Sequence, residues 1–142
     1  MRLVKPSYEI VEQQPGINGI YRAIESAGRT CYKSEDKITE TSAKDFVDRM
    51  VKSGHGAMLE FGTIYLMAKT KEYVDSCGDV IYENPLAKYE DNSYSKVEID
   101  NGENYYVSTN YRVLVEHNLL NDLQYLCKPT EYHEKRICVK FI

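Results

Sequence analysis

The run Thr63 to Lys69, Thr-Ile-Tyr-Leu-Met-Ala-Lys, is apolar or aromatic at almost every position. Successive strand residues point to opposite faces, so a run of this kind predicts a central strand covered on each side. The rest of the chain must then supply the covers. Two amphipathic stripes precede it. Ile17, Ile20, Tyr21, Ile24 and Ala27 recur at helical intervals after Pro15-Gly16 and before Gly28, which predicts a helix that stops at that glycine. Arg29 to Lys33 then reads as a short connection and Ser34 to Thr39 as surface loop. Phe46, Val47, Met50 and Val51 form the stripe of a second helix, opened by Ser42 and Asp45 as a capping-box-like pair and closed at Ser53-Gly54.

Arg2 to Val11 is extended in character and broken by Pro6, which suits an edge strand. Asn84 to Asn104 reads as the least organised region, with Pro85, many acidic residues and an Asp100-Asn101-Gly102 turn signal ahead of a short strand at Tyr105 to Ser108. Leu119, Leu120, Leu123 and Leu126 form a helical stripe stopped before Pro129, and Ile137, Val139 and Phe141 alternate as a last strand. The expected class is α/β in the α+β sense, a mixed or antiparallel sheet with packed helices. It forms a single domain over 1–142 with an insertion-like region at about 70–133. A strand pattern that is apolar up to Ile142 reads as a domain cut through its core.

With 18 Lys and Arg against 22 Asp and Glu, the formal charge is -4 and the pI about 5.4, so no basic footprint for nucleic acid is present. The longest apolar runs fall far short of the roughly 20 residues that a membrane-spanning helix needs. Charges and Pro6 occupy the place of a signal peptide's apolar stretch, so the expected location is cytoplasmic. Cys31, Cys77, Cys127 and Cys138 form no CxxC pair and read as reduced thiols. His55, His117 and His133 lack metal-ligand spacing, so no metal site is expected. The 13 tyrosines are read as lining strands and loops.

Chemistry concentrates in Ser53 to Phe61, SGHGAMLEF, between the second helix and the β-rich run. Gly54 and Gly56 allow close backbone approach to a ligand, and the His55 imidazole can donate, accept or carry charge near neutral pH. A short helical turn over Ala57 to Glu60 would direct free N–H groups at an anion. Glu60 would then orient a ribose hydroxyl, an arginine or a backbone group. The plain alternative is a helix C-cap glycine beside a structural histidine.

Read together, Ala27-Gly28-Arg29-Thr30-Cys31-Tyr32, the helix from Ser42, Gly54-His55 and Leu59-Glu60 before a strand resemble the opening of the flavin-dependent thymidylate synthases, the thymidylate synthase complementing protein family. That family shows an Ala-Arg-x-Cys or Ser-aromatic stretch, a helix, and a Gly-His-x-Ser-x-x-Glu-His element. The resemblance covers about the first seventy residues, and EKRICVKFI, Glu134 to Ile142, looks like the strand that in some members leads into the signature. It implies an incomplete domain of that kind. It also implies FAD as cofactor, NADPH and methylenetetrahydrofolate as co-substrates, and methylation of dUMP to dTMP by a homotetramer with shared sites. His55 would contact the flavin and Glu60 support it; Cys31, Ala57 and Arg29 would stand beside the cofactor.

Three departures accompany the resemblance. Ala57 replaces the family's hydroxyl residue and Phe61 its second histidine, and the Arg-His-Arg signature occurs nowhere in the 142 residues. No catalytic residue is therefore assigned, and this chain alone is not expected to turn over. Asn110-Tyr111-Arg112 matches an Asn-x-Arg pair that the family carries later, out of order, and a chance match or local insertion competes with a cofactor role. Two other readings stand beside the enzyme: a non-catalytic nucleotide-binding or assembly module, and an unrelated small α/β protein.

Overall fold

The computed structural model describes residues 5–141; Arg2 to Val4 of the expected first strand and Ile142 lie outside them. Along the chain run β1 (Tyr8–Val11), α1 (Gly16–Cys31), α2 (Ser42–Ser53), α3 (Gly56–Leu59), β2 (Thr63–Lys69), β3 (Lys71–Val74), β4 (Val80–Glu83), β5 (Lys96–Asp100), β6 (Asn104–Asn110), α4 (Tyr111–Glu116) and β7 (Cys138–Phe141), with 3-10 turns at Glu35–Lys37, Ala87–Asp91 and Leu120–Tyr125. All strand pairs among the described residues are antiparallel: a sheet β2-β6-β5, a ribbon β1-β7 and a hairpin β3-β4. The expected α+β class with antiparallel sheet and packed helices holds. No described helix is long and apolar enough to cross a membrane.

The central strand is β6, not β2. β2 pairs with β6 along its whole length, Thr63 opposite Asn110 to Lys69 opposite Asn104, and lies at the sheet's edge. One face carries Ile64, Leu66, Ala68 and Val107 into a core with Ile20 and Ile24 of α1, Phe46 and Val47 of α2, and Val113 and Leu114 of α4. The other face is covered only in part, by polar aromatics around Tyr65, and leaves Met67 41% exposed. Tyr106 stacks on Tyr132 at 4.6 Å, and the His133 ring meets Tyr65 and Tyr106 edge-on at 5.3 and 5.5 Å. The apolar run thus misled on both counts: β2 lies at the sheet's edge, and its burial alternates, with Ile64, Leu66 and Ala68 buried and Met67 and Lys69 exposed.

The free edge of β2 is closed without another strand. The Gln13 amide donates to Thr63 O (2.7 Å) and accepts from Thr63 N (2.9 Å), and Cys127 N donates to Tyr65 O (2.9 Å). His133 Nδ1 accepts from Thr130 N at 2.9 Å, so the proton sits on Nε2, which donates to Leu66 O at 2.9 Å. The neutral ring is thereby fixed in one tautomer. Unpaired strand edges are aggregation hazards, and the Gln13 and Cys127 contacts blunt this one, while His133 binds Leu66 O from over the sheet face.

Several local expectations are corrected. α1 does not stop at Gly28 but continues to Cys31, which turns the expected Arg29 connection into helix. The reason is packing: a Cβ at Gly28 would lie 2.5 Å from the Phe46 ring, so this glycine serves helix–helix approach rather than termination. Ser42 and Asp45 form no capping box. Ser42 Oγ instead accepts from Thr39 N (2.8 Å) and donates to Glu25 Oε1 (2.9 Å). Asn84 to Asn104 is organised, contributing Leu86 and Tyr89 to the core and β5 to the sheet, with the Asp100-Asn101-Gly102 signal forming the β5–β6 turn. Leu120, Leu123 and Leu126 recur every third residue, the period of the 3-10 helix found there in place of an α-helix. The last strand forms as expected, yet its edge pairs with β1 of the same chain, Tyr8 opposite Phe141. Its alternating residues are not buried in a core, Ile137 being 68% and Phe141 82% exposed.

Two predictions follow from this packing. Gly28→Ala is expected to lower unfolding free energy by about 1–2 kcal/mol, overpacking against Phe46 outweighing a helix-propensity gain of about 1 kcal/mol; chemical denaturation checks it, and an unchanged or raised midpoint would refute the close contact. Burial holds the His133 ring below its ordinary pKa despite the bond to Leu66, so the unfolded chain binds more protons in that window. This contribution is complete above about pH 6.5 and is lost as pH falls towards the folded value. Urea midpoints should drop on acidification through that range, and less steeply in His133→Gln.

Candidate functional site

The SGHGAMLEF turn is pinned from both ends. Gly54 ends α2 in the left-handed conformation (φ 76°), a backbone state that glycine adopts without strain. His55 N then donates to Met50 O at 3.0 Å, tying the turn back to the last coil of α2. In the four-residue α3, Leu59 is the buried anchor at 2% exposure, while His55, Ala57 and Glu60 remain exposed. The sequence put a helical turn here, and one exists.

The extra helical turn of α1 brings Cys31 and Tyr32 to this surface. Tyr32 caps α1 by donating its N–H to Gly28 O at 3.0 Å, and its hydroxyl lies 3.2 Å from His55 Nδ1. The ring tautomer decides which of the two donates. Cys31, the last helical residue, is exposed and free. Arg29 has a different fate: it is 7% exposed, donates to Glu25 Oε2 at 3.4 Å, and lies over the Phe46 ring at 4.8 Å. Glu25 is itself 1% exposed and also accepts from Ser42. Expected in a loop beside a cofactor, Arg29 instead compensates a buried carboxylate between α1 and α2.

Glu60 meets an arginine, one of the partners expected of it, and the arginine comes from α4. Arg112 Nη1 donates to Glu60 Oε1 at 2.6 Å, and Arg112 Nε to Glu116 Oε1 at 2.7 Å. The Glu116 and Glu60 carboxylates hold the guanidinium firmly in its charged form. Asn110, first member of the Asn-x-Arg pair, caps α4 by accepting from Val113 N at 3.2 Å. That pair therefore shapes the local fold and delivers Arg112 to the candidate turn.

Beside this cluster lies a cleft of about 700 Å³ between α1 and the β1-β7 ribbon. Cys31, Glu60 and Phe61 line it at one end; His55, Ala57 and Arg29 are not among its walls. Ala23 and Ala27 of α1 and Val139 of β7 supply apolar wall, and Arg22, Arg136 and Lys140 supply positive charge. Lys140 and Arg136 also pair with Glu35 (3.1 Å) and Glu134 (3.2 Å). A second hollow of about 580 Å³ shares Gln13, Thr63 and Arg136 with it. Sequence reasoning singled out none of Arg22, Arg136 and Lys140. Arg22, Ser26 and Thr30, spaced by four on α1, are the polar stripe that could have revealed the first. No group of three metal-binding side chains occurs among the described residues.

Comparison of the chain with protein-family models, with curated proteins and with solved structures finds no match.

The two acidic residues separate fold from site. Glu25→Ala should cost about 3–5 kcal/mol, because it strands the buried Arg29 charge, whereas Glu60→Ala, at an exposed pair, should cost about 0–1 kcal/mol. Equal losses in denaturation experiments would contradict this assignment.

Proposed function

We propose that this chain is the flavin-side part of a flavin-dependent thymidylate synthase, an enzyme that methylates dUMP to dTMP with methylenetetrahydrofolate and NADPH. The observation that carries the reading is the gathering of its two motif segments. Cys31 and Tyr32 end α1 beside His55, and Cys31 and Glu60 line one cleft, although the segments are separated in sequence by the whole of α2. The cleft's chemistry suits FAD. Apolar wall from Ala23, Ala27 and Phe61 would take a planar ring, and Arg22, Arg136 and Lys140 would offset diphosphate charge. Bound FAD would supply the hydride that completes the methyl group. Arg29 drops out of the proposed contact set, and His55 and Ala57 would reach a ligand only at the outer rim.

No residue of this chain is assigned to dUMP activation, since the Arg-His-Arg signature is not among its 142 residues. Turnover therefore requires groups beyond these, and assembly into a tetramer and a cytoplasmic location belong to the same proposal. A second reading, a nucleotide-binding or assembly module without chemistry, is favoured by Ala57 and Phe61, which withdraw two polar groups from the turn.

Titration of FAD and dUMP into the purified chain separates the two. Quenching of flavin fluorescence, weakened by Glu60→Ala and Cys31→Ala, is expected of the first; dUMP binding without flavin binding would support the second. Binding of neither would defeat the flavin reading and the nucleotide-binding form of the second, leaving a structural remnant or assembly module.

A further inference from the structure

The geometry points to Arg112 as a positioning residue that seats the α3 turn and aims the Glu60 carboxylate. For its ligand consequences the inference rests on the flavin reading; for the positioning itself it does not. An exposed Arg–Glu contact taken alone contributes little stability, because two long side chains lose freedom in forming it. Arg112 is different because its approach is fixed before it meets Glu60. Asn110 caps the start of α4, and Tyr111 N donates to Gly62 O at 2.8 Å, joining α4 to the residue that follows the turn. Tyr111 is 5% exposed and packs edge-on against Tyr21, with ring centroids 5.9 Å apart. Glu116, one helical turn on, holds Nε at 2.7 Å. The guanidinium that reaches Glu60 is thus already oriented.

Gly56 lies against the same guanidinium. A Cβ there would stand 2.8 Å from Arg112 Nε and 3.2 Å from Cζ, so the guanidinium lies against bare backbone at the first residue of α3. One side chain therefore meets both ends of the turn, Gly56 at its start and Glu60 just past its end. The second glycine of Gly54-His55-Gly56 leaves room for an internal arginine rather than for a ligand. That also makes Gly56→Ala a charge-neutral way to displace Arg112, since the far end of a flexible side chain can move.

Amide hydrogen exchange and flavin titration on the full chain test this in Arg112→Ala, Gly56→Ala and Arg112→Lys. The α3 amides are bonded within the turn, Met58 N to His55 O at 3.3 Å and Phe61 N to Met58 O at 3.3 Å, and so report its order. In both alanine variants exchange at Met58, Glu60 and Phe61 should rise about tenfold with Leu66 and Val107 unchanged, as local opening of the turn alone requires, and FAD affinity should fall by about the same factor. Arg112→Lys, which keeps the charge, should restore part of both. Unchanged exchange at the turn in the two alanine variants would overturn the inference whatever the flavin arm gives. Affinity lost in Arg112→Ala but kept in Gly56→Ala would overturn it too, making Arg112 a direct ligand contact. If the unaltered chain binds no FAD, the flavin reading fails while exchange alone still decides the positioning role.

Discussion

The close approach of α1 to α2 governs where everything else in this molecule can sit. Gly28 admits the Phe46 ring, Arg29 covers that ring, and Glu25 accepts from both Arg29 and Ser42. Buried charge is tolerable only when paired and hydrogen-bonded, and here the pair and the ring interlock the two helices at one level. Because the contact falls inside α1 rather than after it, the helix runs on to Cys31. Tyr32 then arrives at His55, just beyond the end of α2. Had α1 ended at its glycine, the two motif segments would have had no fixed relation.

This also marks the limit of sequence reading. The stripes of α1 and α2, the α3 turn and the terminal strands were legible because apolar period and turn residues are local signals. Gly28 was misjudged because a glycine that ends a helix and one that admits a neighbouring ring look alike in one sequence. Only the partner, Phe46, distinguishes them. β2 was mistaken for the central strand because Tyr65 and Met67, on the face away from the helices, are aromatic and apolar although half-buried and exposed, so the sequence lacks the alternation that the burial shows.

The candidate site divides along the same line. His55 and Glu60 could be named from spacing, and the fold leaves both at the surface beside a cleft. Arg29, equally polar in sequence, is consumed by the interior. Arg112 could be noticed but not placed, since its meeting with Glu60 depends on β6 returning antiparallel to β2 and handing its last residue to α4. Lys140 of β7 reaches the cleft through the pairing of the first and last strands, a long-range event that no local pattern encodes.

That pairing has a kinetic side. Tyr8 opposite Phe141 closes a loop spanning nearly the whole described chain, the largest closure in the fold, and contacts so distant in sequence form late because chain entropy must be lost before they are rewarded. The ribbon is short, exposed on its outer face, and roofs the cleft. The element that shapes the ligand space is therefore one whose strands stay exposed and whose pairing rests on the most distant contact in the described chain, so the walls of the cleft differ in kind: a packed helix on one side and a thin ribbon on the other.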